Sequence, residues 1–293
     1  MRKKWRGNRF EALGRTLPVL LLAGFLSAGC EPGMDTGPAG APSETGTQVS
    51  LLEFLETHQM VELTHPLGEE TIVWPTSRPF EFETTFEGWT EEGYYYASRD
   101  FSGPEHGGTH LDAPIHFYED RWTTDQIPLD HLVAPGAVVD VSESVAEDPN
   151  YRVSVNDLMD WEDAHGRIPS GAILMLHTGK GAHWPDAVAY MGTAGTGEEA
   201  LAHLQFPGLH PDAARWLVED RDVVAVGLDT PSLDYGPSTN FEAHQILFEA
   251  NIYGLENVAN LHELPPTGST ILALPTLLEG GTGGPVRIIA LVP

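Results

Sequence analysis

Four side chains able to bind metal or move protons fall within one short run, His106-Gly107-Gly108-Thr109-His110-Leu111-Asp112-Ala113-Pro114-Ile115-His116. The glycine pair and the proline disfavour a helix, so the run is read as extended, with successive side chains on opposite faces. His106, His110, Asp112 and His116 then share one face. Gly108 lies between the first two and leaves room for an ion, while Leu111, Ala113 and Ile115 turn toward an apolar core. Two imidazoles and a carboxylate offer the mixed nitrogen and oxygen donors that suit a borderline divalent ion such as zinc or manganese, with positions left for water. Such an ion acidifies bound water and polarises a carbonyl, and a fourth group remains free to carry protons. The bland alternative is a polar turn of solvated histidines, which needs four such groups to fall in one register by chance.

The run resembles the signature His-x-Gly-Thr-His-x-Asp-x-Pro-x-His of the metal-dependent cyclase family, matched at every fixed position. That family includes bacterial arylformamidases (kynurenine formamidases) and isatin hydrolases. The resemblance implies His106, His110 and Asp112 as metal ligands, Asp112 as a bridge between two ions, and His116 as proton donor and acceptor. Phe241-Glu242-Ala243-His244, followed by Gly254-Leu255-Glu256-Asn257, is similar to a second family pattern, a metal-binding His with a metal-binding Glu twelve residues later. It implies His244 and Glu256 as ligands. On one straight helix the two would stand about 120° apart, so Asn251 and Gly254 are expected to end the helix and turn Glu256 back. Gly227-Leu228-Asp229-Thr230-Pro231-Ser232-Leu233-Asp234 resembles a third segment, whose acids would either support ligands or close a strand. Trp74-Pro75 matches an aromatic-proline pair that lines the substrate pocket in family members, although Thr76-Ser77 replaces the Gly-Asp that usually follows. Trp74 is thus a candidate substrate platform, with core or dimer packing as its other reading.

The elements that must position these groups alternate strand and helix. A short helix over Leu51 to His58 precedes a strand at Met60 to Leu63, and Glu81 to Tyr96 reads as strands or a hairpin. Trp122 to Leu132 reads as loop and turn. Buried strands are expected at Gly136–Val141, Ile173–Leu176, Val223–Gly227, Thr270–Leu274 and Val286–Val292. Ser154, with Asp157 three residues on, caps a helix that stops at Gly166, and Pro211 opens another. Lys180 to Gln205 lacks apolar periodicity and reads as a long surface excursion or lid. The glycine-rich loop from Gly280 to Gly284 has no lysine and no following helix, so it is not a phosphate loop; it lets backbone pass close to the pocket. Of the other histidines, His177 and His183 flank the excursion and are the best candidates for a further role.

The chain of 293 residues carries 15 basic and 43 acidic side chains, a net charge of −28. Arg2, Lys3, Lys4, Arg6, Arg9 and Arg15 lead an apolar run, Leu17 to Leu26, too short to span a bilayer, so residues 1–29 read as an export signal. Leu26-Ser27-Ala28-Gly29-Cys30 looks like a lipobox with Ser27 in place of the usual leucine, which makes Cys30 a candidate lipidation site on the periplasmic face; ordinary secretory cleavage is the alternative. Residues 30–48 read as a flexible tether and 49–293 as one domain. The first 29 residues hold six basic groups and one acidic, so the remainder carries 9 against 42, or −33. Such a surface repels nucleic acid, which excludes that class of partner. Cys30 is the sole cysteine, so no intrachain disulfide and no cysteine nucleophile within the domain are expected.

The fold expected is α/β, a single domain of the swivelling type with a mixed sheet and flanking helices, assembled as a homodimer or homotetramer. The activity implied is metal-dependent hydrolysis of a carbon–nitrogen amide bond, with one or two Zn2+ or Mn2+ ions per protomer. The substrate expected is a small aromatic or cyclic amide of the isatin type, or else an aryl formamide such as N-formylkynurenine. A different class, a lipid-anchored protein that binds metal or ligand without turnover, is the rival. It gives His116 no purpose, since storage needs no proton carrier.

Overall fold

The computed structural model describes residues 50–293; the leader, the tether and Cys30 lie outside the described residues. Helix α1 (Leu51–Thr57) leads into β1 (Gln59–Glu62), the hairpin β2 (Glu81–Trp89) and β3 (Tyr95–Ser102), and the short β4 (His110–Asp112). Then come α2 (Leu129–Leu132), β5 (Val133–Asp140), α3 (Ser142–Glu147), β6 (Arg152–Val153), α4 (Val155–His165) and β7 (Ala172–His177). Helices α5 (Ala187–Met191) and α6 (Glu198–Leu201) precede β8 (Gly208–Leu209), α7 (Pro211–Asp220) and β9 (Val223–Leu228). The chain closes with α8 (Glu242–Glu249), β10 (Tyr253–Glu256), β11 (Thr270–Pro275) and β12 (Gly283–Val292).

The main sheet runs β1-β12-β11-β5-β7-β9-β10-β4, and β12 also pairs with β4. That last pairing closes seven strands into a barrel-like ring, with β1 added outside it. Closure depends on the length of β12: Gly283 to Pro285 pair with β4, while residues farther along, from Ile289 to Val292, pair with β1. Strands β5, β7, β9 and β10 are parallel and joined through helices, and the antiparallel β4, β11 and β12 complete the circuit. The mixed sheet expected from sequence is therefore present, and it is closed.

Alternation along the strands divides the core. Ala137, Val139, Leu174, Leu176, Val226 and Leu228 face an outer layer formed with α4, α7 and α8. Val138, Ile173, Met175, Ala225, Leu255 and Ile288 face inward with Leu111 and Ala113. Both faces of the central strands are thus covered, which is why they read as continuous apolar runs. Helix α4 begins as its cap dictates: Ser154 Oγ accepts from Asp157 N, and Asp157 Oδ2 accepts from Ser154 N at 2.7 Å. It stops at Gly166, whose φ of 87° suits glycine.

Two expectations fail here. Residues 180–205 are not a bare excursion, because a 3-10 turn (Lys180–His183), α5 and α6 fold over Ile72, Trp74 and Phe206, with Tyr190 and Met191 buried between. Their helices are too short to show a period, so the sequence concealed them. The stretch from Trp122 to Leu132 likewise holds a 3-10 turn (Thr124–Gln126) and α2. No helix among the described residues is long and apolar enough to cross a membrane.

Candidate metal centre

The signature run is extended only over β4. Gly108 takes a left-handed φ of 62°, and a Cβ there would come within 2.7 Å of Leu67, so its lack of a side chain serves this turn and not the space for an ion. Pro114 starts a 3-10 turn (Pro114–His116), as a proline at the first helical position favours. His110 and Asp112 do share a face of β4 by strand alternation. His106 arrives from the bend before Gly107, and His116 from the 3-10 turn. The expected single extended face is corrected accordingly, although all four side chains still line one cavity.

The second pair also reaches it. His244 sits buried on α8, the chain turns at Asn251 with a φ of 58°, and β10 brings Glu256 back so that its Oε1 lies 3.1 Å from His244 Nε2. Asn251 acts as expected; Gly254 does not end the helix but lies within β10, opposite Asp112.

Each imidazole has one nitrogen engaged away from the cluster. His244 Nδ1 donates to Asp234 Oδ2 at 2.6 Å, and Asp234 is held by the backbone N–H groups of Ala243 and His244. Asp234 is thus the acid of the third segment that supports His244, and Asp229 instead accepts from Thr178 and Gly181. His110 Nδ1 donates to the Gly108 carbonyl at 3.0 Å. His106 Nε2 meets Thr282 Oγ1 at 2.8 Å.

The remaining nitrogens converge on carboxylates. His106 Nδ1 is 2.7 Å and His110 Nε2 is 3.0 Å from Asp112 Oδ1, and His110 Nε2 is 3.3 Å from Glu256 Oε2. His244 Nε2 lies 3.4 Å from Asp112 Oδ2, a buried oxygen that accepts no hydrogen bond. Lone pairs of nitrogen and oxygen facing one another at these separations need positive charge among them. Among the described residues no Lys or Arg lines the cavity. Burial disfavours a His110 cation, yet Asp112 and Glu256 outweigh it and push the ring up to about 10. Burial likewise opposes charge on His244, and Asp112, Asp234 and Glu256 raise it well above the usual range. The field therefore demands cations, which protons supply to an ion-free cluster and a divalent ion supplies by displacing them. His106, His110 and Asp112 form one group able to hold an ion, and Asp112, His244 and Glu256 form another. The donor set fits a metal, with Asp112 common to both groups.

His116 stands apart. Its ring stacks on His106 with centroids 3.8 Å apart, makes no hydrogen bond, and is lowered by burial to about 4, so it is neutral. Trp74 lines the cavity of about 250 Å3 together with Phe117 and Phe241. The Trp74 and Phe241 rings meet edge-on at 6.2 Å, and Phe241 packs 5.2 Å from Phe117. Sequence reasoning passed over Phe117, Phe241 and Asn257. Asn257 donates to the Gly108 carbonyl at 2.7 Å and accepts from Tyr190 Oη at 2.8 Å, tying α5 to the turn that carries His110. The adjacency of Phe117 to His116, and of Asn257 to Glu256, was the only available signal. His177 pairs with Asp140 at 3.2 Å and His183 is exposed, and neither lines the cavity.

Comparison with known proteins agrees with this geometry. The chain is 31% identical to isatin hydrolase from Roseibium aggregatum over 250 residues, 80% of this chain and 92% of that protein. It is 29% identical to kynurenine formamidase from Salinibacter ruber, over 78% of this chain and 96% of that one. The structure of isatin hydrolase A from Ralstonia solanacearum superposes with a TM-score of 0.74 at 32% identity, covering 85% of this chain and all of that one. The Cyclase family profile matches residues 61–235, a span that includes β4, the 3-10 turn bearing His116 and the Asp229 to Asp234 segment. With its His/Asp/Glu centre at the closure of the barrel, the chain belongs to the Cyclase family.

Proposed function

We propose that this protein hydrolyses the carbon–nitrogen bond of a small aromatic cyclic amide of the isatin type. The observation that carries the reading is the union of a cluster of three imidazoles and two carboxylates with an aromatic-walled cavity above it. His106, His110, Asp112, His244 and Glu256 hold one or two Zn2+ or Mn2+ ions, both of which accept this donor set. A bound divalent ion supplies Lewis-acid polarisation of the substrate carbonyl and acidifies water.

The chain's own groups do the rest. Trp74, Phe117 and Phe241 hold the aromatic ring, and the Tyr190–Asn257 pair fixes the turn on which His110 depends. His116 accepts a proton from the attacking water as its oxygen bonds to the carbonyl carbon. It then returns that proton to nitrogen as the C–N bond breaks, so no net proton is consumed at the residue. Its ring lines the cavity and is not tied up by hydrogen bonds, which leaves a nitrogen open to this exchange.

The kynurenine formamidase relatives support a second substrate, an aryl formamide. Initial rates on isatin and N-formylkynurenine decide between them: faster turnover of isatin supports the reading, faster turnover of the formamide reverses it, and turnover of neither removes both.

Assembly and location belong to the same proposal. The hairpin β2–β3 pairs with no strand of the main sheet and exposes Trp89, Tyr95, Tyr96 and Phe101, whereas an isolated hairpin is marginally stable. A second copy covering it gives a homodimer or homotetramer; a monomer in sedimentation analysis counts against this. Export with a lipid on Cys30 predicts palmitate labelling that Cys30→Ala abolishes, and labelling that survives the substitution contradicts it.

A further inference from the structure

We infer that Glu105 and Thr282 form a positioning relay that presents His106 to the metal through Nδ1; the inference rests on the metal reading above. The relay joins two distant parts of the chain. Glu105 Oε2 accepts three hydrogen bonds from the glycine-rich loop, from Thr282 N at 2.9 Å, Gly283 N at 3.2 Å and Thr282 Oγ1 at 2.7 Å. A hydroxyl has one hydrogen to give. With that hydrogen committed to the carboxylate, Thr282 Oγ1 meets His106 Nε2 as an acceptor, so Nε2 carries the ring proton. The Nδ1 lone pair is then turned toward Asp112 Oδ1.

His106 needs this arrangement more than the other ligands. It lies on no strand or helix, and its side chain is 22% exposed, against 3% for His110 and for His244. Gly283 makes the approach possible, because a Cβ there would stand 2.5 Å from His106 Cε1. Neither Glu105 nor Thr282 lines the cavity, so their effect runs through His106 and not through contact with substrate. Hydrogen-bonded partners of this kind orient a metal-binding imidazole and raise its basicity, and losing one weakens metal binding by about 10–100-fold.

The test is chelator competition with Zn2+ and Mn2+ on the full chain. Thr282→Val removes the hydroxyl at nearly constant volume and is expected to weaken binding by about 10–100-fold. Thr282→Ser keeps the hydroxyl and is expected to bind as the wild type does, while the metal-free forms of both variants melt together. Glu105→Ala releases the hydroxyl hydrogen toward His106 and is expected to weaken binding as Thr282→Val does. Unchanged affinity in Thr282→Val overturns the relay, and unchanged affinity in Glu105→Ala removes Glu105 from it. Equal losses in Thr282→Val and Thr282→Ser overturn it in favour of packing. A wild-type protein that binds neither ion overturns the metal reading itself, a result distinct from the others.

Discussion

His244 and His106 flank Asp112 from opposite circumstances. His244 is buried on α8, its outer nitrogen anchored at 2.6 Å on Asp234, which α8 itself holds through two backbone N–H groups. His106 comes from a bend at the rim and depends on a loop far along the chain for its orientation. One imidazole is fixed through the helix that carries it; the other is fixed by a distant neighbour. A ring on a buried strand or helix finds its partner close by in the chain, whereas a ring on a loop depends on partners from a distant segment.

This contrast orders the expected effects of substitution. His244→Ala removes a buried ring shared by three buried acids, leaving Asp234 without its imidazole partner and Asp112 and Glu256 with fewer partners. It is expected to abolish metal binding and activity and to lower the melting temperature, all measurable on one preparation. His106→Ala, at the exposed side, is expected to weaken metal binding with less loss of stability; equal destabilisation of the two variants would break the comparison. His116→Ala removes a ring that stacks on His106 but offers no atom to the ion-holding groups, and should retain metal while kcat falls by about 10²–10⁴-fold, the usual worth of a proton-transfer group. Loss of metal from that variant would make His116 a ligand. Smaller effects belong to Tyr190→Phe, which frees Asn257 from α5. It should weaken metal binding less than Thr282→Val does, because the Gly108 carbonyl keeps its bond from Asn257.

The smallest expected effect lies away from the metal. His65 is half-buried against Trp184, and burial lowers it to about 4. The unfolded chain takes up that proton near the ordinary value of 6.5, so the folded state loses stability as pH falls from about 6.5 toward about 4. After allowance for partial exposure this is about 1 kcal/mol at pH 5, or about 2–4 °C in a domain of this size. Melting curves at pH 7 and pH 5 should show His65→Phe losing less than the wild type; parallel losses would mean that His65 does not contribute.

Much of the frame, and the side chains that gather at the candidate centre, could be read directly, for local reasons. Strands β5, β7 and β9 are uninterrupted apolar runs, and α4 carries its own cap and stop signal in Ser154, Asp157 and Gly166. Asp112 and His110 alternate on a strand, and Asn251 turns the chain between His244 and Glu256. The parts that stayed hidden are long-range. Thr282 reaches His106 across 176 residues, and nothing in the local pattern of the glycine-rich loop signals a ligand's partner. Tyr190 meets Asn257 across 67 residues from a helix too short to declare itself. The left-handed turn at Gly108 also broke the simple alternation, because a glycine pair permits a bend as readily as an extended strand.

The most direct test of the account is hydrolysis of isatin by the purified protein before chelation, after chelation, and after reloading with Zn2+ or Mn2+, with metal per protomer measured at each stage. The account predicts bound metal at the start, loss of turnover with its removal, and recovery on reloading. Turnover that persists in metal-free protein, or protein that takes up neither ion, would contradict it.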